Sequence, residues 1–513
     1  MGKLQSKTYS SILNAITSLL LTIVNGILVI IVTRYILIYF GSEYNGLNAS
    51  SFQLVNILMV LEGGVTLATN VALFQPIKNK DINSINRILS ATKKRFIKIG
   101  VLFFIIGFLF TLVYSFIVVS EVSYWIIVYI FIMSLIPPSI NIGVVLKYRA
   151  FLLSEQKEYI ISLFTLTTIF LGYLFTILFI KLGYGVWCIK AFTTLFAVIN
   201  CVALVLYCKK QYRFIDMSVQ PDDMAIKGTR DVFVSKITSA LYSAFPIIVI
   251  SIAFPNGAKL ASVYAVYVGI FSFISNAIQS FSSAPRFAFG QLFVEDDKNK
   301  ICQMFLRYEF IVFIFLTILL GTTMILILPF IKLYTDGVND IDYYNTTIMI
   351  LMGLSTFVSI IHIPSGQMIN MSGNFKISKN INIIATSALL VLLSGAVLMN
   401  ILINTDIYGI LVAILSASFL LAIMEFFFTH KHILGLSVIE TLKVLFPNFF
   451  VFIVAIVWGV YFKSVNSYFD LIKIGVLVFM SVMSITLFLN YLMNKRLLVN
   501  TIKMILKILQ NRT

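Results

Sequence analysis

AITSLLLTIVNGILVIIVTRYILIYF, Ala15 to Phe40, carries one charge, Arg34, in twenty-six residues. As a helix rising about 1.5 Å per residue it is about 39 Å long, enough to cross a hydrocarbon layer of about 30 Å. Its apolar character continues past Ile30 with no small-residue cleavage site, so it reads as an uncleaved first span rather than a signal peptide. Similar runs recur to the end of the chain. Windows of roughly 19 residues predict fourteen spans, at 15–40, 47–74, 97–120, 124–148, 159–181, 184–208, 231–254, 260–285, 309–333, 346–370, 381–403, 407–429, 444–462 and 471–493. Tight turns at Gly183 and Asp406 split two of the pairs.

Composition agrees with that reading. Hydrophobic residues make up 59% of the 513, charged residues only 12%, and mean hydropathy is +0.98. A soluble domain of this size needs far more polar surface. The net charge of +17 points to anionic headgroups rather than nucleic acid, because the basic residues lie between the apolar runs. Of 38 Lys and Arg, thirty fall in segments expected in the cytoplasm. Five fall outside: Lys181, Lys259, Lys332, Lys463 and Lys473. Arg34, Lys190 and Lys236 lie within spans. One miscounted span would scramble this alternation, so both termini are expected in the cytoplasm of a bacterial inner-membrane protein. Trp125, Trp187 and Trp458 fall near outer ends, where an interfacial aromatic belt lies.

The loop from Lys78 to Lys98 carries seven basic residues, with Ile82, Ile85, Ile88 and Leu89 at helical spacing behind Asp81. The tail repeats the pattern with Leu498, Ile502, Ile505 and Leu509. Both are expected to be amphipathic helices in the inner headgroup layer.

The turn FGSEYNGLN (Phe40 to Asn48) has a counterpart about 216 residues later in PNGAKLASVY (Pro255 to Tyr264). LLSEQKEY (Leu152 to Tyr159) has one about 218 later in NMSGNFKIS (Asn370 to Ser378). Two pairs at nearly one offset indicate a six-plus-six duplication with two spans appended. The expected architecture is an all-α polytopic membrane protein of about fourteen transmembrane helices. Two six-helix bundles with a pseudo-two-fold relation, 1–210 and 211–430, would surround a central cavity. Residues 431–513 would add two helices and a basic amphipathic tail.

Enzyme signatures are absent. The sequence has no phosphate-binding loop of the G-x-x-x-x-G-K-[ST] type. Its three histidines, His362, His430 and His432, form no H-E-x-x-H motif, and the four cysteines have no zinc spacing. No cofactor or metal is expected. The longest outer loop, about Tyr334 to Asn345, is too short for a catalytic domain, which disfavours a membrane-embedded polymerase or transferase.

Ionisable residues inside spans are costly and usually face a wet cavity or a partner. Arg34 either snorkels to the outer headgroups or offers its rigid fork to a phosphate. Glu62 lies too deep to snorkel and is followed by Gly63 and Gly64. It reads as a proton or cation site, or as the partner of a cation on a neighbouring helix. Lys236 and Arg286 either snorkel inward or line an inward-facing cavity. His362 either contacts substrate or is a satisfied core histidine. Lys190 and Glu425 read as structural. Pro137-Pro138 should break the fourth span near its middle. The inventory, mostly cationic with one deep carboxylate, points to an anionic, phosphate-bearing substrate.

TRYILIYFGSEYNGLNASSFQLVNILMVLEGGVTLA (Thr33 to Ala68) resembles the first two spans of bacterial polysaccharide flippases of the O-antigen and capsule type. YRAFLLSEQKEYI (Tyr148 to Ile160) and INMSGNFKISK (Ile369 to Lys379) resemble their loops after spans 4 and 10. That family shares a superfamily with multidrug and toxin extrusion antiporters and the lipid II flippase. The resemblance implies that a polyprenyl-diphosphate-linked oligosaccharide is moved from the inner to the outer leaflet by alternating access. It also implies a basic cavity, onto which Arg34, Lys236 and Arg286 map as its cations; His362 stands beside them as a candidate substrate contact on its depth alone. Glu62 would couple transport to H+ or Na+. Anionic lipids and polysaccharide polymerase machinery would be partners. The two appended spans resemble those of the lipid II flippases, which carry more arginines in their early spans than occur here. A cation-coupled drug or metabolite antiporter is the alternative reading, and it would need exposed acidic groups.

Overall fold

A computed structural model describes residues 2–222, 230–282, 289, 298–462 and 465–510. The chain is an all-α polytopic membrane protein, and no strand occurs among the described residues. Among the described residues thirteen helices are long and apolar enough to cross a membrane, and the second expected span is present in two pieces. Packing divides the chain into two units, Met1–Ser262 and Val263–Thr513.

In the first unit, α1 (Gly2–Phe40) packs on α7 (Glu158–Lys181), which forms a hairpin with α8 (Cys188–Gln211). Gly183 at the hairpin turn has φ of 81°, a conformation that favours glycine. The span expected at 47–74 is not one helix. α2 (Ser42–Leu58) tightens into a single 3₁₀ turn at Met59–Glu62, and α3 (Val65–Asn79) then starts afresh. Gly63 and Gly64 have φ of 63° and 77°. Two successive left-handed residues cannot continue a helix, and only glycine adopts them without strain.

Pro137 and Pro138 correct the expectation in the other direction. α5 (Tyr124–Ile140) runs through both, and the irregularity comes after them, as a π-helical turn at Asn141–Val145 before α6 (Leu146–Ser154). Pro137 has no N–H for the Met133 carbonyl. The Thr194 hydroxyl supplies one from α8 at 2.9 Å, so a neighbouring helix repairs the lost bond.

α4 (Ile82–Ile117) starts where the sequence places it, with Ser84 N donating to Asp81 Oδ1 at 3.1 Å. Its apolar face does not lie in the headgroup layer, however. Ile85, Ile88 and Leu89 are buried against Tyr148, Phe151 and Leu204, because the loop and its span form one continuous helix.

α9 (Arg230–Ala253) and the start of α10 (Gly257–Ser282) pack with the first unit, although the sequence repeat puts them in the second half. The reason lies at α2. Asn45 Nδ2 donates to Ser262 Oγ at 2.7 Å, Lys259 Nζ is 3.6 Å from Glu43 Oε1, and Gly46 lets the Ala258 backbone approach closely. Glu43 Oε2 also accepts from the Ser120 hydroxyl and the Glu121 amide.

In the second unit, α11 (Lys298–Tyr334) is a buried mast. α12 (Thr346–Ile361) packs beside it, and after His362 the chain restarts as α13 (Ile363–Met371), with Pro364 in the first turn, where proline costs no bond. α14 (Phe375–Ile403) and α15 (Tyr408–Phe428) form a hairpin turning at Asn404 and Asp406, both with positive φ. The appended pair, α16 (Val438–Tyr461) and α17 (Tyr468–Met493), packs on α11. Gly459 lets α16 meet the Met324 backbone directly. α18 (Lys495–Gln510) forms the expected tail helix, with Leu498 buried.

Candidate functional site

Glu62 stands at the helix break. Its Oε1 accepts from Thr66 N at 2.9 Å, so the carboxylate caps α3 and sits at the positive end of that helix. Its Oε2 lies 3.6 Å from Lys236 Nζ on α9. The Glu62 side chain is 13% exposed and that of Lys236 46%. Beside them a cavity of about 180 Å³ is walled by Leu61, Ile106, Phe233 and Ile237. Two residues read separately from the sequence therefore meet, across the joint where α2 ends and α3 begins.

Arg34 is half-buried on α1 and has an interaction of its own. Arg286 lies outside the described residues. His362 belongs to the second unit, where its Nδ1 is 2.7 Å from Glu425 Oε2. Both side chains are close to nine-tenths buried, so the histidine and the carboxylate form one polar pair. The break between α12 and α13 positions the imidazole, and Gly366 on α13 makes room for the carboxylate.

Two groups of charges were not legible as sites. At the end of the first unit that the sequence assigns to the cytoplasm, Lys147 is only 7% exposed on α6. Lys93 on α4 and Lys209 on α8 lie close enough to repel it. Arg149 is half-buried, and its buried Nε has no hydrogen-bond partner among the described residues. Lys147, Arg149 and Lys209 form no ion pair with a described residue, and Asp216 is the carboxylate close enough to feel Lys93. The only sequence signal is a pair of cations two apart, Lys147 and Arg149, at the end of an apolar run. It looks like an ordinary topology marker.

The second group is in the second unit. Glu309 on α11 is fully buried, although the expected limit of span 9 put it at the interface. Its Oε2 is 2.6 Å from the Thr441 hydroxyl oxygen of α16, and Oε1 has no partner among the described residues. Thr441 Oγ1 is also 2.6 Å from His430 Nε2, and His430 Nδ1 is 2.9 Å from the Phe426 carbonyl. A carbonyl only accepts, so Nδ1 carries hydrogen. Thr441 has a single hydrogen to place between two neighbours, so either Glu309 or Nε2 must supply a second. The network connects the appended pair to the mast. Among the described residues no cluster could hold a metal ion.

These elements define a class of fold. The structure is similar to the inward-facing conformation of a multidrug resistance MATE family transporter of the MOP superfamily. The TM-score is 0.66 at 15% identity, covering 79% of this chain and 94% of that one. It is also similar to the lipid II flippase MurJ in its inward closed conformation, with a TM-score of 0.64 at 14% identity over 92% of this chain and 98% of that one. MATE in a bent conformation gives 0.54 at 15% identity over 84% and 95%. The chain thus has the fold shared by MATE transporters and MurJ. No family model matches its sequence, and no curated protein matches it.

Proposed function

We propose that this protein is a flippase. It carries a polyprenyl-diphosphate-linked oligosaccharide from the inner to the outer leaflet of the bacterial cytoplasmic membrane by alternating access, for surface polysaccharide assembly. The observation that carries this reading is the charge balance. Glu62, Glu425 and Glu309 each have a polar partner, whereas the buried Lys147 and the half-buried Arg149 meet no carboxylate among the described residues. Buried cations without counter-ions are costly, and a diphosphate with several charged oxygens is the ligand that would relieve them. The MurJ match leaves about 41 residues of this chain uncovered, fewer than the 83 from 431 to 513, so it reaches into the appended segment.

In this reading the basic cluster receives the diphosphate at the inner leaflet, and the prenyl chain stays in lipid. Arg34, Lys236, Arg286 and His362 are further contacts for the head group during passage. Glu62 exchanges Lys236 for a proton or Na+, and that change at the helix joint biases the access state. Anionic lipids gather at the basic inner loops, and a polymerase receives the product outside.

The cation antiporter is the second reading, and the likeness to MATE transporters supports it equally. Proteoliposomes separate the two. Lys147→Gln and Arg149→Gln should each slow the flipping of an undecaprenyl-diphosphate-linked sugar by at least about tenfold, the scale of a lost charge-assisted bond. Ethidium efflux driven by a proton gradient, with no flipping at all, would establish the antiporter instead.

A further inference from the structure

Helices α2, α5, α7 and α8 of the first unit enclose a cavity of about 380 Å³, within the size range of small-molecule sites. It is not the basic cluster described above. Thr165, Thr168 and Tyr173 line it along α7, and Lys190, Thr193 and Asn200 along α8. Ten residues of helix separate Lys190 from Asn200, so the cavity is about 15 Å long.

Its hydrogen-bond inventory is one-sided. The Thr168 hydroxyl donates to the Phe164 carbonyl at 2.8 Å, Thr193 to the Lys190 carbonyl at 3.0 Å, Thr194 to the Met133 carbonyl at 2.9 Å, and Ser134 to the Ile130 carbonyl at 2.8 Å. Their hydrogens are used, and only lone pairs remain for a guest. Pro138, which has no N–H, frees the Ser134 carbonyl in the same way that Pro137 frees that of Met133. Asn200 is 8% exposed, its Nδ2 donates to Thr165 Oγ1 at 3.3 Å, and its Oδ1 has no partner. Against these acceptors stand the hydroxyls of Thr165 and Tyr173 and one cation: Lys190 Nζ makes no hydrogen bond or ion pair with any described residue.

Few ligands suit that pattern. An inorganic anion would set its lone pairs against those of the walls, and a metal or organic cation would meet the ammonium. A polyol bearing one negative charge satisfies both halves, and the rings of Phe52 and Tyr173 in the lining suit the C–H surface of a sugar. We propose that this cavity binds an acidic sugar, its carboxylate on Lys190 and its hydroxyls donating to the threonine oxygens. The proposal deepens the flippase reading, on which it rests for the source of the sugar.

The test is calorimetric titration of the full chain in nanodiscs with sodium glucuronate, glucose and sodium sulfate. Glucuronate should bind saturably and glucose more weakly, and sulfate should not displace glucuronate. Lys190→Met should weaken glucuronate by about tenfold and leave glucose nearly unchanged, and Lys190→Arg should restore it. Thr193→Val should weaken both sugars. Variants are compared only if they melt like the parent, and Thr168→Val serves as a milder second probe of the acceptor wall. Absence of glucuronate binding, parental affinity in Lys190→Met, or displacement by sulfate would overturn the proposal. Saturable, Lys190-dependent binding in a protein that flips no lipid-linked sugar would sustain the pocket and sink the flippase reading.

Discussion

A methyl group added to Gly366 would lie 2.5 Å from Glu425 Oε2, the oxygen that His362 Nδ1 contacts. The glycine is therefore the space in which the pair exists. Gly366→Ala should displace the carboxylate and cost roughly 1 to 3 kcal/mol, the range for leaving a buried polar group without its partner. Gly395→Ala is the control, because nothing lies near its Cβ position. Thermal unfolding in detergent measures both. Equal melting of the two variants would show that the pair contributes nothing to stability.

The Glu62–Lys236 contact is half-exposed, so its worth to stability is small, at most about 1 kcal/mol. Its effect should be on transport. Glu62→Gln keeps the Thr66 cap, removes the ionisation, and should lower net transport while the protein stays folded. Lys236→Met should do the same, and the double variant should be no worse than either single one. Additive losses in a proteoliposome assay would show that the two residues act separately.

Orientation is testable with single cysteines. Asn339→Cys, in an exposed loop that the charge pattern assigns to the outside, should react with an impermeant maleimide in intact cells, and Asn83→Cys, exposed near the start of α4, should not. Labelling at position 83 from outside would reverse the topology and with it the direction of transport.

Asp81 is a solvent-facing cap, and its hydrogen bonds from the Ser84 hydroxyl and amide hold its carboxyl below the ordinary value. A depressed native value means that the stabilisation is complete above the ordinary carboxylate range and is lost as pH falls through the native value. Hydrogen exchange in the first turn of α4 should therefore accelerate, beyond its intrinsic pH dependence, at acid pH. Asp81→Asn should remove the extra acceleration. A parental profile in that variant would assign the cap no role.

Most spans were legible because hydropathy over twenty residues is a sum, and no single position decides it. The turns at Gly183 and Asp406 and the cap at Asp81 were legible for the opposite reason, since each rests on one residue with a particular conformation. What failed required knowledge of neighbours. Gly63-Gly64 was visible as a pair, but helices tolerate glycine, and only the left-handed φ of both residues makes the break. Pro137-Pro138 looked like a break and is not one, because Thr194, fifty-seven residues on, supplies the missing donor. Glu62 was found by its depth, and its cation on α9 only by folding. Lys147 and Arg149 looked like topology markers because nothing in sequence distinguishes a buried cation from a snorkelling one. Glu309 was missed because the helix holding it runs well beyond its most apolar window.

The Glu309–Thr441–His430 chain holds one hydrogen more than Thr441 supplies, wherever that hydrogen sits. Moved from the carboxyl to the imidazole, it reverses the Thr441 hydroxyl and separates charge between α11 and the turn after α15. No proton enters or leaves. The two placements, neutral carboxyl with neutral imidazole or carboxylate with imidazolium, carry the same net charge and differ in the carboxyl stretching band of the infrared spectrum.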